Sequence, residues 1–268
     1  MHCPDLSPYL AFTQELAHAA ADVILPYYGQ HECGLQNKDD DSPVTLADKG
    51  AEEAMRALIE RKFPHHGIVG EEYGPQNADA EWVWILDPVD GTKSFIASVP
   101  LFGTLIGLLH NGKPVVGCIN QPVLKQLLIG DGQTTTLNGQ KVCVRPTQTI
   151  EESLLLTTDP IRPHKWFDGD CYEKLAHRAQ TVRSWGDCYG YLLLSSGFAD
   201  IMIDPKMASW DLLPLLPCVT GAGAKVSTWS GAPIPDFDVN RCGEKMFSCV
   251  AANPHLHGQV VEILNGCA

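Results

Sequence analysis

The 268-residue chain predicts an α/β protein whose first half is of the α+β kind, and three observations carry that prediction. Five apolar residues, 82–86, read as a buried strand ending abruptly in Asp87-Pro88-Val89-Asp90-Gly91-Thr92. Three further apolar runs, 104–109, 114–120 and 126–129, are bounded by turn residues, with Asn111-Gly112 as a hairpin signal. Beyond about residue 150, strand-like and helix-like stretches alternate. Two halves are therefore expected, 1–149 and 150–268, with no internal repeat and no low-complexity stretch.

Ser7-Pro8 places a capping hydroxyl before a proline and predicts a helix start. Leu16, Ala20, Val23, Ile24 and Tyr27 continue it at helical spacing to Gly29. A polar loop, 36–43, precedes a second helix over 46–63, with Ala51, Ala54, Met55, Leu58 and Ile59 on one face. A short strand, 67–70, leads into Glu71-Glu72, and a short helix is expected from Thr92. In the second half, strands are predicted at 153–157, 182–185, 200–203, 225–229 and 247–251. Helices are predicted at 170–180, 189–197 and 211–222, with a last one capped by Asn253-Pro254. Pro214 falls in the opening turn of the helix after Asp211; Pro217 should kink or shorten it.

The formal net charge of −13 argues against binding nucleic acid or an anionic membrane surface. It also opposes an anionic substrate unless bound cations invert the local field. No apolar run is long enough to span a bilayer, and the first residues carry no signal-peptide pattern, so a cytoplasmic, reducing location is expected. The ten cysteines include no C-x-x-C pair, and several lie inside apolar runs where cysteine acts as a small hydrophobe.

The chemistry gathers on acidic residues. Carboxylates at a strand end, facing free amides at a helix start, can hold hard cations beside a phosphate. Asp87 and Asp90 have that arrangement, although Asp-Pro and Asp-Gly are also ordinary turn signals. Glu71 follows a strand and Asp211 opens a helix, positions equally suited to a solvated loop and a helix cap. Four carboxylates packed together would need cations to neutralise them, and oxygen-only ligands favour Mg²⁺ or Mn²⁺ over Zn²⁺.

G-E-E at 70–72, D-P-V-D-G-T at 87–92 and W-D at 210–211, together with P-V-T-L-A-D at 43–48, resemble the signature set of the inositol monophosphatase superfamily, which includes histidinol phosphatases. The similarity runs over nearly the whole chain. It implies a layered α-β-α-β-α sandwich that hydrolyses small phosphate monoesters with Mg²⁺, Mn²⁺ being a substitute, and that commonly forms a homodimer. It implies Glu71, Asp87, Asp90, Asp211 and the Val89 carbonyl as ligands of two or three cations. Asp48 with Thr92 would orient or deprotonate the attacking water, with Glu71 also in the catalytic set. Gly91 and Thr92 amides, Lys93, Lys38 and Asp90 would surround the substrate phosphate. Most ligands then fall in 1–149, with specificity residues and the last ligand in 150–268.

R-S-W-G-D-C-Y-G-Y at 183–191 resembles the histidinol phosphatase branch. Inositol-specific members usually carry a small neutral residue where Asp187 stands, and a glutamate where Asp204 stands. Two carboxylates near the leaving group suit a cationic ester better than a neutral polyol. Asp187, Asp204 and Arg183 are thus the expected substrate-contacting residues, although Arg183 and Asp187 could instead form a structural ion pair. Histidinol phosphate is the expected substrate. Inositol 1-phosphate or a broader range of sugar phosphates is the alternative, and a cation-binding scaffold without turnover is the alternative from another class.

Overall fold

The computed structural model describes residues 4–30, 36–37, 43–235, 238 and 247–266. Lys38 and the neighbouring Asp39-Asp40-Asp41 lie outside the described residues. Two helices form the first layer, α1 (Ser7–Ile24) and α2 (Leu46–Lys62). Ser7 is already inside α1; the acceptor at its start is Asp5, whose Oδ1 takes the Ser7 amide at 3.0 Å. Between the helices lie the short strands β1 (Gln36–Asn37) and β2 (Pro43–Val44), paired antiparallel.

An eight-stranded sheet forms the second layer. Its strands are β3 (Gly67–Gly70), β4 (Gly74–Gln76), β5 (Trp82–Asp90), β6 (Gly103–His110), β7 (Lys113–Gln121), β8 (Gln126–Gly130), β9 (Thr135–Leu137) and β10 (Gln140–Val142). The spatial order is β10-β9-β8-β7-β6-β5-β3-β4, and β3 runs parallel to β5 while the other pairings are antiparallel. The strands β4, β9 and β10 are three residues each, too short to leave a periodic signal in the sequence. The helix α3 (Thr92–Ile96) follows β5. Apolar faces of α1 and α2 meet this sheet in a core holding Phe12, Leu16, Met55, Ile59, Trp84 and Ile106. Tyr9, Phe63, His66 and Trp82 pack ring against ring at its edge.

The second sheet has five strands, β11 (Leu154–Thr157), β12 (Thr181–Arg183), β13 (Ile201–Met207), β14 (Lys225–Ser227) and β15 (Phe247–Ala252), ordered β12-β11-β13-β15-β14. α4 (Arg162–Trp166) and α5 (Gly169–Arg178) follow β11, and α6 (Asp187–Ser195) follows β12. α7 (Ser209–Gly221) follows β13, and α8 (Pro254–Asn265) ends the described chain. Side chains of α6 and α7 fill the space between the sheets, with Leu105 and Ile119 on one side and Met202 and Ala251 on the other. Tyr172 and Leu175 of α5 and Leu256 and Val260 of α8 cover the outer face of the second sheet. The layers therefore run α-β-α-β-α.

α7 departs from its expected form. It starts at Ser209, two residues earlier than predicted, so Pro214 and Pro217 are both interior, yet the helix is continuous. The reason lies across the sheet. Gly107 pairs with Gly117 and Gly117 with Gly130, a row of glycines over three adjacent strands. A Cβ on Gly117 would stand 2.0 Å from the Pro214 carbonyl oxygen, and one on Gly130 2.5 Å from that of Pro217. The helix lies in this groove, where Gly132 N donates to the Pro217 carbonyl (3.1 Å) and Thr135 Oγ1 to that of Cys218 (2.6 Å). These two bonds fix the helix in the groove; the carbonyls that Pro214 and Pro217 leave without a helical amide are those of Trp210 and Leu213, and it is the close seating of the helix on the glycine row that offsets the usual cost of an interior proline.

Among the cysteines, Cys118, Cys188, Cys218 and Cys249 are free and buried, as a small hydrophobe would be. Cys171 is instead disulfide-bonded.

Candidate metal centre and active site

The strand β5 does not stop at Leu86 as its apolar run suggested; it continues to Asp90 through a bulge. Asp87 pairs with Leu105 and Asp90 with Gly103, so three steps along β5 match two along β6. The extra residue lies beside Pro88, which has no amide to donate, and the Pro88 carbonyl takes the Thr104 hydroxyl at 2.8 Å. A bulge re-aims side chains at the end of a pairing. Here it sets Asp87 and Asp90 toward the same space.

Glu71 reaches that space from the neighbouring parallel strand. Gly70 pairs with Leu86, and the Glu71 amide donates to the Leu86 carbonyl at 3.1 Å, placing Glu71 beside Asp87. Behind the turn sits Glu52 of α2, a residue the sequence did not single out. Its fully buried carboxylate accepts from the Glu72 amide (2.8 Å), the Tyr73 amide (3.2 Å) and Arg56 Nε (2.8 Å). A Cβ on Gly70 would stand 1.9 Å from Glu52 Oε1, so a side chain there would push the Glu52 carboxylate off these partners.

Asp211 arrives on the first turn of α7, where its Oδ2 accepts the Ala208 amide at 2.7 Å. Asp87, Asp90 and Asp211 each offer a carboxylate oxygen, and those atoms lie within 4.8 Å of one another. Burial raises all three acids above the ordinary carboxylate range. The charge of Glu71 adds most to this at Asp87, that of Asp187 at Asp90 and that of Glu71 at Asp211, which is pushed up to about 7. Asp87 Oδ1 is buried and has no hydrogen-bond partner among the described residues. A buried acceptor without a donor is costly, and a divalent cation with oxygen ligands is the group that satisfies it. The donor set fits such a cation.

Asp48 opens α2 in a reciprocal cap. Its Oδ2 accepts the Thr45 amide at 2.8 Å and the Thr45 hydroxyl at 2.5 Å, while Thr45 Oγ1 accepts the Ala47 amide at 3.2 Å. Burial raises the Asp48 carboxyl, with a further push from Glu71, so it faces the same charged space. Thr92 Oγ1 donates to the Val89 carbonyl at 3.0 Å.

A cleft of about 410 Å³ beside these carboxylates is lined by Glu71, Gly91, Thr92, Lys93, Thr158 and Asp187, with Asp159, Arg162, Ser184 and Gly186. Gly91 has φ +85°, and a Cβ on it would meet Asp187 Oδ2 at 3.1 Å. Asp187 itself holds a left-handed φ of +49°. Burial pushes its carboxyl up to about 6, with Arg162 and Lys93 pulling the other way. The next amide, Cys188 N, donates to Asp90 Oδ2.

Two expected substrate residues are placed otherwise. Arg183 is exposed, donates to the Val182 carbonyl and lies over the Trp185 ring at 6.0 Å; Arg162 takes the place beside Asp187. Ser184 and Gly186 line the cleft, whereas Arg183 and Trp185, which alternate with them along the chain, are exposed and lie against each other. Asp204 is 4% exposed, behind the cleft wall, with Oδ1 accepting the Thr158 amide (3.1 Å) and Oδ2 the Tyr191 hydroxyl (3.1 Å). Sequence likeness gave no hint of Thr158 or Arg162, which reach the cleft through the β11–α4 connection.

Similarity to known proteins is consistent with this geometry. The family model described as the inositol monophosphatase family matches residues 5–267. The chain belongs to that family. The bifunctional phosphatase IMPL2 of Arabidopsis thaliana, a chloroplastic protein, is 38% identical over 266 residues, covering 97% of this chain and 76% of that one. The histidinol-phosphatase of Chlorobaculum parvum is 37% identical over 225 residues, 81% of this chain and 85% of the relative. A solved inositol monophosphatase from Zymomonas mobilis superposes with a TM-score of 0.82 at 33% identity, covering 98% of this chain and 99% of the other. This inositol monophosphatase family member is a phosphoric monoester hydrolase of a metal-dependent family, and among the described residues no helix is long and apolar enough to cross a membrane.

Proposed function

We propose that this enzyme hydrolyses L-histidinol phosphate to L-histidinol and phosphate, using Mg²⁺ held by Glu71, Asp87, Asp90, Asp211 and the Val89 carbonyl. The observation that carries the metal part is the buried, partnerless Asp87 Oδ1 among three converging carboxylates. Magnesium bound there supplies the positive charge that neutralises these acids and polarises the phosphate. Two or three ions are expected, with Mn²⁺ as a substitute.

The chain's own groups do the rest. Thr92 Oγ1 donates to the Val89 carbonyl and so presents lone pairs, ready to accept a hydrogen from the attacking water. Asp48 keeps Oδ1 for the proton of that water while Oδ2 is fixed by Thr45, and burial makes the carboxylate a better base. Gly91 and Thr92 amides and the Lys93 ammonium take the phosphate oxygens; Lys38, outside the described residues, is assigned to the same anion by the sequence resemblance alone. Asp187, at the cleft wall, accepts the substrate ammonium, a contact a neutral polyol cannot make. Residues 1–149 thus supply the cation and water site and 150–268 the specificity. A cytoplasmic homodimer that binds neither nucleic acid nor membrane completes the reading, and sedimentation with cell fractionation tests that part.

The decisive assay is Mg²⁺-dependent phosphate release, compared on histidinol phosphate and inositol 1-phosphate. A higher kcat/KM on histidinol phosphate is expected. Equal or reversed rates would refute the substrate assignment, and no release with either would refute the enzyme. Asp87→Asn should abolish turnover in a protein whose circular dichroism is unchanged.

A further inference from the structure

Asp187 is an acidic side chain held in a left-handed conformation, and the surroundings that impose it have no assigned role. Such a conformation persists when neighbouring contacts over-determine it. Two contacts stand out. The Asp187 amide donates to Thr158 Oγ1 at 2.8 Å, and Gly186 lies so close that a Cβ on it would stand 2.2 Å from Thr158 Cα. Thr158 is in turn anchored from behind, its amide donating to Asp204 Oδ1 at 3.1 Å. Asp204 is fixed at its other oxygen by the buried Tyr191 hydroxyl.

Asp204 reaches this place through a second bulge. Asp204 pairs with Cys249 and Met207 with Phe247, three steps against two, at Asp204-Pro205. The arrangement repeats that of Asp87-Pro88 on the other sheet. With both oxygens engaged and almost no exposure, Asp204 has no face left for a substrate.

We propose that Thr158 and Asp204 form a positioning clip that holds the Gly186-Asp187 turn, aims the Asp187 carboxylate at Gly91 and the cleft, and thereby sets the preference for phosphate esters with a cationic leaving group. The proposal rests on the reading of Asp187 as the ammonium acceptor. It assigns Thr158 a role in specificity, and it moves Asp204 from a substrate contact to a support.

The test is the ratio of kcat/KM on histidinol phosphate to that on inositol 1-phosphate, measured on the Mg²⁺-loaded enzyme. General damage to the fold or the metal site lowers both rates and leaves that ratio in place. Thr158→Val removes the acceptor for the Asp187 amide and should lower the ratio about fivefold to tenfold, as expected for one lost hydrogen bond. Thr158→Ser keeps the acceptor and should restore the ratio. Asp204→Asn keeps an acceptor for the Thr158 amide and should retain it, whereas Asp204→Ala should lower it as Thr158→Val does. Should Asp204→Asn lower the ratio as far as Asp187→Asn, Asp204 contacts the ammonium directly and the clip is wrong. A silent Thr158→Val beside a strong Asp187→Asn effect overturns the clip and leaves the substrate reading standing. A silent Asp187→Asn overturns the substrate reading itself, and the clip with it.

Discussion

At the scale of single residues, the proposed metal centre depends on a carboxylate outside its ligand set. Glu52 ties the amides of Glu72 and Tyr73 to α2 and so fixes the turn that carries Glu71. Groups that orient metal ligands typically contribute tenfold to a hundredfold in affinity. Glu52→Gln should therefore raise the Mg²⁺ concentration for half-maximal activity about tenfold, with kcat at saturating Mg²⁺ much less affected; a magnesium titration of activity checks this. Nothing local in the sequence marks Glu52, which reads as one acidic residue among several on an amphipathic helix. Asp87 and Asp90 were legible because their whole context, an apolar run closed by an acidic turn, is contiguous. Thr158 was not, since its importance arises from an amide almost thirty positions away.

Elements show the same division. α1 and α2 followed from apolar spacing, although Ser7, read as the cap of α1, lies inside it; α8 followed from its cap, where Asn253 accepts the His255 and Leu256 amides. β5 was longer than its apolar run because strand pairing carries past Leu86 into acidic residues buried against β6. The prolines of α7 were read correctly as chemistry and misjudged as geometry, because the partner surface lies in strands distant in sequence. The glycines at 107, 117 and 130 look separately like weak points in strands; only the register reveals them as one groove. Gly117→Ala should destabilise the fold by about 1–3 kcal/mol through overpacking, with loss of Mg²⁺ response as Asp211 is displaced. Urea denaturation and the magnesium titration together check that pairing of effects. Unchanged stability would mean the groove is roomier than described.

For the whole molecule, the site is a store of unfavourable charge. Asp211 and Asp204 are pushed up to about 7 and Asp187 to about 6, mainly by burial, and Asp87 and Asp90 are raised well above the usual range. Acids whose folded-state pKa exceeds the unfolded value bind more protons when folded, so stability falls as pH rises through the interval between the two. The metal-free protein should accordingly unfold at a higher temperature at pH 6 than at pH 8. Added Mg²⁺, which takes the place of those protons, should raise the melting temperature more at pH 8 than at pH 6. Differential scanning fluorimetry with and without chelator measures both slopes, and a metal-free protein more stable at pH 8 would contradict the arrangement.

The groove of glycines also bears on how such enzymes can be recombined. Its floor belongs to residues before 150 and its occupant, α7, to residues after, so a hybrid spliced near that point takes mould and casting from different parents. Only hybrids in which both parents share the bare backbone row and the proline-bearing helix should seat Asp211 at the depth the other proposed ligands require, whatever the overall likeness of the sequences joined.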